Sequence, residues 1–408
     1  MSGERYDAVI VGGGLIGSAL AVAFGRHGLS VALVEAAAPE VHADPGFDGR
    51  AYAIAEGSRA LLAALGIWDA VATEAEPVRR ITVTDRCTDP VPPAALHFDP
   101  AEVGVQALGW IVEDRLLRRA LLEAVSAETG VSRIAPDRPD AVALQPHGAE
   151  IRLAETGLIQ APLVVACDGR RSALAREAGI RYLDFGYTQT GLVSAIEHDL
   201  PHDGVAHQGF FAGGPFAVLP MQGNRSSLVW SDEARRAEAV IALDDDAYLT
   251  EIRQRVCRRL GDIRLAGKRA AYPLGMQLAT EYVRPRLAVV GDAAHGVHPI
   301  AGQGMNMGLR DVAALTEVVV EARRLGLDYG TEDILGGYQR WRRFDATAMA
   351  LGMDALTRLF STPSSPVQAL RNMGLGLVSA LPGMRRMFMH QAAGRTGDVP
   401  RLLQGHMV

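Results

Sequence analysis

Apolar and polar positions alternate along this chain in two rhythms, and the rhythm changes twice. Tyr6 to Val11 is a short apolar run, followed by glycines and then a helical pattern through His27; Ser30 to Glu35 is a second apolar run. Together they predict a strand–helix–strand unit. Glu56 to Val71 reads as a helix and Arg80 to Asp85 as a strand. Asp89 to Pro100 carries Pro90, Pro92, Pro93 and Pro100, so it is expected to be loop. Asp114 to Glu128 predicts an amphipathic helix, because Leu116, Leu117, Ala120, Leu121 and Val125 share one face. Residues 149–168 read as two strands joined at Glu155–Gly157.

From Tyr187 to Trp230 the texture becomes short β-rich runs (TGLVSAIEH, GVAHQGFF, PFAVLPM, SSLVW) separated by Gly and Pro. This predicts an antiparallel sheet inserted into a doubly wound frame. The parallel texture returns at Leu287 to Gly291, with a glycine-rich turn and a helix from about Gly304. After Gly336 the chain reads as mostly helical, broken at Pro363, Pro366 and Pro382. The expected class is α/β: a Rossmann-like dinucleotide-binding domain, an inserted antiparallel β-sheet domain and a helical C-terminal segment. The expected limits are residues 1–80, 104–180 and 275–335 for the first, 81–103 and 181–274 for the second, and 336–408 for the third.

Length and composition fit that division. A chain of 408 residues exceeds one ordinary core. Apolar residues at 48% and charged residues at 22% are ordinary for a globular protein. No apolar run approaches the roughly 18 residues of a membrane span, and the N-terminus lacks the pattern of a secretion signal. Cys87, Cys167 and Cys257 are far apart, which excludes a CxxC motif and fits a reducing cytoplasmic setting. A net charge of -6 argues against nucleic-acid binding. Charge is uneven: Arg340 to Val408 holds nine arginines and three acids, a balance of +6, leaving -12 elsewhere. Seven of the twelve methionines also lie there. Within it MGLGLVSALPGMRRMFMH, residues 373–390, combines apolar side chains with Arg385, Arg386 and His390. Such a segment fits a peripheral membrane or partner contact, or helices that pack with their arginines facing water.

Three separated motifs carry the chemistry. The first is Gly12-x-Gly14-x-x-Gly17 between a strand and a helix. Gly12 permits the tight turn, Gly14 lets backbone approach a pyrophosphate, and Gly17 lets helix and strand pack closely. The helix N-terminus offers free N–H groups to phosphate. Glu35 follows Gly17 by 18 residues, where an acid can bind a ribose hydroxyl. The second motif is Val164 to Cys167, then Asp168-Gly169 and Arg170-Arg171-Ser172, an Asp-Gly turn at a strand end. The third is Gly291-Asp292-Ala293-Ala294-His295, continuing through His298, Pro299, Gly302, Gln303, Gly304, Met305 and Asn306. Its strand delivers Asp292 to a carboxyl end, where ligands of open α/β sheets bind.

Asp292, His295 and His298 also read as metal ligands, although no HExxH-type helical frame precedes them. A Ser-His-Asp triad lacks its G-x-S-x-G elbow. A purely structural role remains open for both histidines.

Taken together, the three segments resemble the group A flavoprotein monooxygenases, the para-hydroxybenzoate hydroxylase family, over nearly the whole chain. GDAAHGVHPIAGQGMNMGLRD, YTQTGLVSAIEHDLPHDGVAHQGFFAGGPFAVLP, SLVW and YQRWRRFDATAM…RLFS are similar to the subfamily that hydroxylates prenylated phenols in ubiquinone biosynthesis. The resemblance implies FAD as cofactor, NAD(P)H as electron donor, and O2 and a prenylated phenol as substrates. It implies a flavin C4a-hydroperoxide whose distal oxygen attacks the ring. It also makes a ubiquinone-biosynthesis complex an expected partner.

Residue by residue, the resemblance assigns Gly12, Gly14, Gly17 and Glu35 to the ADP half of FAD. Arg50 falls near the cofactor phosphates, and Arg115 begins the helix bordering the flavin. Asp168 and Gly169 match the Asp-Gly motif, and Asp292 the aspartate that binds the ribityl hydroxyls. Pro299 and Gly302 belong to the loop, and the main chain at Gly304, Met305 and Asn306 faces the flavin N1–C2=O edge. The family's arginine seven residues after the motif aspartate is here Ala175, with Arg176 next. The inserted sheet supplies candidates for a pocket roof, Gln208, Phe210, Leu219 and Trp230, each of which also reads as plain core. No residue is expected to replace the flavin as the reacting group.

Competing functions differ in chemistry. A flavin disulfide reductase needs a redox cysteine pair. A flavin-dependent prenyl reductase shares the ADP site without adding oxygen. A non-catalytic flavin-holding scaffold of a biosynthetic complex keeps the site without turnover.

Overall fold

The computed structural model describes residues 3–42, 46–84, 95–211, 213–256, 258–297, 302–361 and 397–408, with residues 381, 383, 386, 389 and 393. Side chains are described for helix Glu332–Ser361 only as far as residue 355. Cys87, Cys257, His298 and Pro299 lie outside the described residues. So does most of the segment 373–390, and with it the expected interruptions at Pro363, Pro366 and Pro382.

The apolar runs read as strands are the centre of a six-stranded sheet. Its order is Val283–Arg284, Leu287–Val289, Leu163–Ala166, Ala8–Val11, Val31–Val34, Val131–Ile134. All neighbours pair in parallel except the first two. The strands at Leu163–Ala166, Ala8–Val11 and Val31–Val34 are buried throughout. Two-sided burial explains why they read as continuous apolar runs rather than as alternation. Helices Leu15–Arg26 and Gln303–Arg324 pack against one another beside this sheet, within one continuous apolar core. A four-stranded sheet, Glu4–Arg5, Leu158–Ala161, Gly148–Leu153 and Pro139–Gln145, flanks it.

Several details depart from the sequence reading, among them a strand, Leu96–Phe98, inside the stretch Asp89 to Pro100 expected to be loop. The second expected strand of residues 149–168 is two strands, broken at Pro162, which has no N–H to give a ladder. Leu158–Ala161 joins the flanking sheet and Leu163–Ala166 the parallel one. The helix expected to reach Val71 stops at Ala64, because Gly66 takes a left-handed conformation (φ +67), and a short helical turn follows at Trp68–Ala70. The C-terminal helix starts earlier than read, at Glu332.

The inserted region forms a nine-stranded sheet built around Tyr182–His198, Arg225–Glu233, Gly214–Met221 and Val205–Phe211, with Arg80–Thr84 and Leu96–Phe98 beyond them. Its strand Ala270–Ala279 runs past the expected limit at residue 274 and pairs with His295–Gly296. The third motif is therefore hydrogen-bonded directly to this sheet. One face is covered by helices Ala234–Ile241 and Asp245–Val256, burying Phe216, Val218, Leu228 and Trp230. The other face buries Ala206 and Met221 against Val78 and Ile111, with Phe47, Ala51 and Ala53 packed alongside.

Candidate cofactor and substrate site

Each glycine of the first motif is required for a different reason. Strand Ala8–Val11 ends at Gly12, whose φ is +105 and where a β-carbon would lie 2.3 Å from the Cys167 carbonyl oxygen. At Gly17, in the first turn of helix Leu15–Arg26, a β-carbon would lie 1.9 Å from the Gly12 carbonyl oxygen. Gly14, the N-cap, has nothing within 4 Å of that position and no side-chain cap. Gly12 and Gly17 are thus demanded by the chain itself, whereas Gly14 faces open space in front of an uncapped helix N-terminus. Such a terminus presents N–H groups to an anion. The Glu35 carboxylate sits at the same turn: it accepts the N–H groups of Gly13 at 2.6 Å and Ala37 at 2.7 Å.

Strand Leu163–Ala166, which pairs with Ala8–Val11, delivers the second motif beside the first. Asp168 Oδ2 accepts the N–H of Ala173 at 3.0 Å, while Oδ1 is buried without a partner. Gly169 has φ +78 and open space around its β-carbon position. A buried acceptor lacking a donor, beside an open glycine, fits a hydroxyl-bearing ligand. Ala175 is fully buried, and Arg176 lies over the Tyr182 ring at 5.1 Å.

Asp292 stands in the helical turn Gly291–Ala293 with its side chain 49% exposed. Gly302 has φ +61 and caps helix Gln303–Arg324 without a side-chain hydrogen bond. A β-carbon at Gly304 would find nothing nearer than Val297 at 3.9 Å, so the first turn is open at its backbone. Met305 and Asn306 turn their side chains inward. Asn306 Oδ1 accepts the Ala55 N–H at 2.9 Å, and its Nδ2 donates to the Ala53 and Gly302 carbonyls at 2.8 and 3.2 Å. Asn306 therefore ties the helix start to strand Ala51–Ile54.

His295 is fully buried and within 2.5 Å of Asp311 Oδ2, as a structural histidine would be. Among the described residues no group of His, Cys, Asp or Glu could hold a metal. Arg50 pairs with Asp48 at 2.6 Å and Asp114 at 3.4 Å. Arg115 pairs with Glu113 at 2.7 Å and lies over Phe47.

The four roof candidates divide between faces. Register pairs Gln208 with Ala217, and Phe210 with Pro215, while Leu219 pairs with Ser227. Alternation puts Gln208, Phe210 and Leu219 on one face, and Ser227 Oγ on that face donates to the Gly49 carbonyl at 3.2 Å. Trp230 is a correction. It pairs with Phe216 on the opposite face, donates to Asp232 at 3.1 Å, and has the Arg255 guanidinium 3.7 Å from its ring centroid. The period-two alternation of the strand turns it into the outer core.

Four residues of the site went unassigned in the sequence reading. Arg170 Nη2 donates to the Val297 carbonyl at 2.6 Å and Nη1 to Gly275 at 3.2 Å, while Nε stands 3.7 Å from Asp292. Tyr272 shares the Leu219 face; burial pushes its phenol pKa up, against the opposing influence of Arg170 and Arg50. Asp311 and Arg342 form a buried pair behind the third motif. Arg170, Asp311 and Arg342 lie inside the very runs that carried the family resemblance, which was their only sequence signal.

The description "FAD binding domain" matches residues 5–349. A ubiquinone hydroxylase of Rhodospirillum rubrum is 42% identical over 98% of this chain and 92% of its own length. The 3-demethoxyubiquinol 3-hydroxylase of Escherichia coli is 35% identical over 97% of this chain and 100% of its own. The crystal structure of p-nitrophenol 4-monooxygenase from Pseudomonas putida shares the fold, with a TM-score of 0.79 at 17% identity, covering 97% of this chain and 100% of that one.

Proposed function

The chain belongs to the FAD-binding-domain family, matched over residues 5–349, and from that premise we propose that it is an FAD-dependent monooxygenase of ubiquinone biosynthesis that hydroxylates the aromatic ring of a prenylated phenol. The observation that carries this reading is the 42% identity to a ubiquinone hydroxylase over 98% of the chain, on a fold whose adjacent parallel strands Ala8–Val11, Leu163–Ala166 and Leu287–Val289 each lead into one of the three motifs. NAD(P)H is the proposed reductant.

The residues fit FAD. The open space at Gly14 and the uncapped helix after it would take the pyrophosphate, with Glu35 at the ribose. The unpartnered Oδ1 of Asp168 and the exposed carboxylate of Asp292 would take hydroxyls. The open backbone after Gly302 would offer a helix N-terminus to the negative charge of a reduced flavin, which its dipole would stabilise. When bound, FAD supplies the activation of O2 and the delivery of one oxygen atom to the ring. The chain's part is to orient the ring and exclude water. Gln208, Phe210 and Leu219 are proposed as the substrate-facing side of the sheet, with Tyr272 and its hydroxyl on the same face.

Among the described residues no helix is long and apolar enough to cross a membrane. A polyprenyl substrate would then reach the site by peripheral membrane contact or from a partner complex, and residues 373–390 are the proposed contact.

Growth or reconstituted turnover under 18O2 tests the assignment. One labelled oxygen should enter the ring of the phenolic product. Label from water, or reduction of a prenyl double bond without oxygen gain, would replace hydroxylation by another flavin reaction; tight flavin without any turnover would leave a scaffold.

A further inference from the structure

The turn that carries Asp292 is fastened from behind by a charge the cofactor reading does not use. Asp311, on helix Gln303–Arg324, is fully buried. Its Oδ2 accepts the Gly291 N–H at 2.9 Å and faces His295 Nε2 at 2.5 Å, so one oxygen holds both ends of the segment Gly291–His295. Its Oδ1 accepts Arg342 Nε at 2.8 Å. Arg342 is 4% exposed and belongs to helix Glu332–Ser361; its Nη1 donates to Asp345 at 2.6 Å, which also accepts Arg310 at 2.9 Å. Burial alone would push the Asp311 carboxyl up, but His295 and Arg342 outweigh it and hold it below the usual carboxylate range.

Stability is a poor reason for this arrangement. A buried ion pair is often no better for stability than apolar side chains of similar volume. Apolar replacements, however, could not accept the Gly291 N–H. What the carboxylate contributes is direction: it fixes the backbone immediately before Asp292. We propose that Asp311, clamped by Arg342, is a positioning residue that holds the Gly291–Asp292 turn in the geometry that binds FAD, and so makes the C-terminal helix Glu332–Ser361 part of the cofactor site. The proposal rests on the reading of Asp292 as an FAD contact.

A double-mutant cycle on the full chain tests it, with FAD affinity of the apoprotein read by fluorescence titration. Asp292→Ala should weaken FAD, and Asp311→Asn should weaken it by about tenfold or more, as misplaced ligand groups do. The double variant should bind FAD no more weakly than the worse single one, because positioning an absent side chain has no further effect. A merely structural Asp311 would give losses that add. Wild-type affinity in Asp292→Ala overturns the Asp292 reading and the proposal with it. Weakening in Asp292→Ala with none in Asp311→Asn, or additive losses, overturns the positioning role alone. Should Asp311→Asn not fold, Asp311→Asn with Arg342→Met removes the stranded cation and is read the same way. If that variant also fails to fold, the pair is a requirement of the fold and the proposal is overturned.

Discussion

Arg170 joins the second motif to the third: its Nε lies 3.7 Å from Asp292 Oδ2 while its other nitrogens hold the carbonyls of Val297 and Gly275. One guanidinium thus spans the turn of Asp292, the segment after His295 and the large sheet. The planar fork of an arginine can make these bonds at once; a lysine cannot. Arg170→Ala is expected to weaken FAD retention, and Arg170→Lys to recover little of it. Both are measured as flavin content after gel filtration. Full recovery by lysine would show that only the charge matters.

Gly14 and Gly17 are expected to separate cofactor binding from folding. Gly14→Val meets open space and an extended backbone (φ -66, ψ -172), so the apoprotein should melt within about 1 kcal/mol of wild type yet fail to take up FAD. Gly17→Ala drives a methyl against the Gly12 carbonyl and should cost the apoprotein about 1–3 kcal/mol, as overpacking does. Thermal melts beside flavin titrations decide. A Gly14→Val protein that stays yellow would move the pyrophosphate elsewhere.

That difference also marks what the sequence could carry. The turn at Gly12 and the close packing at Gly17 are local, set by a few residues, and could be read from spacing. So could the amphipathic helix Asp114–Ala127, whose buried Leu117, Ala120, Leu121 and Val125 lie on the expected stripe. Trp230 was misplaced because a strand's pattern gives alternation but not which face meets which neighbour; the helices over its face decide that. Asp311 and Arg342 were illegible for another reason. They are 31 residues apart on separate helices, and nothing local distinguishes a buried carboxylate from a solvated one.

His207 should make stability depend on pH. It lies on the outer face of the large sheet, and Arg259 Nη1 donates to its Nδ1 at 3.1 Å. Burial first, then Arg259 and His97, lowers its pKa to about 4. An unfolded histidine titrates near about 6.5. The folded value is the lower one, so protonation favours unfolding. The stabilising contribution is complete above about pH 6.5 and is lost as pH falls through about 4. His207→Gln keeps an acceptor for Arg259 and removes the titration, so its melting temperature should fall less than wild type between those limits. Part of the slope should persist, because His27, His97 and His198 also have lowered pKa values. Parallel pH profiles for the two proteins would show that His207 is freely protonated in the fold.

Asn306 links stability to cofactor uptake at the third motif. Its amide satisfies the Ala55 N–H and the carbonyls of Ala53 and Gly302, and it is 3% exposed. Asn306→Ala strands these groups where water reaches them poorly, at a cost of about 1–3 kcal/mol. It also releases Gly302, whose left-handed backbone (φ +61) starts the helix at the proposed flavin edge. Denaturant unfolding of the apoprotein should show the first effect, and FAD titration a second loss beyond it. Ala53 supplies a control at the same contact. A β-carbon on Gly302 would lie 3.0 Å from the Ala53 β-carbon, so Gly302→Ala disturbs the same junction while leaving the Asn306 amide in place. Weakened FAD binding in both variants would locate the requirement in the backbone of the helix start. Weakened binding in Asn306→Ala alone would assign it to the amide, and wild-type binding in both would remove this loop from the cofactor site.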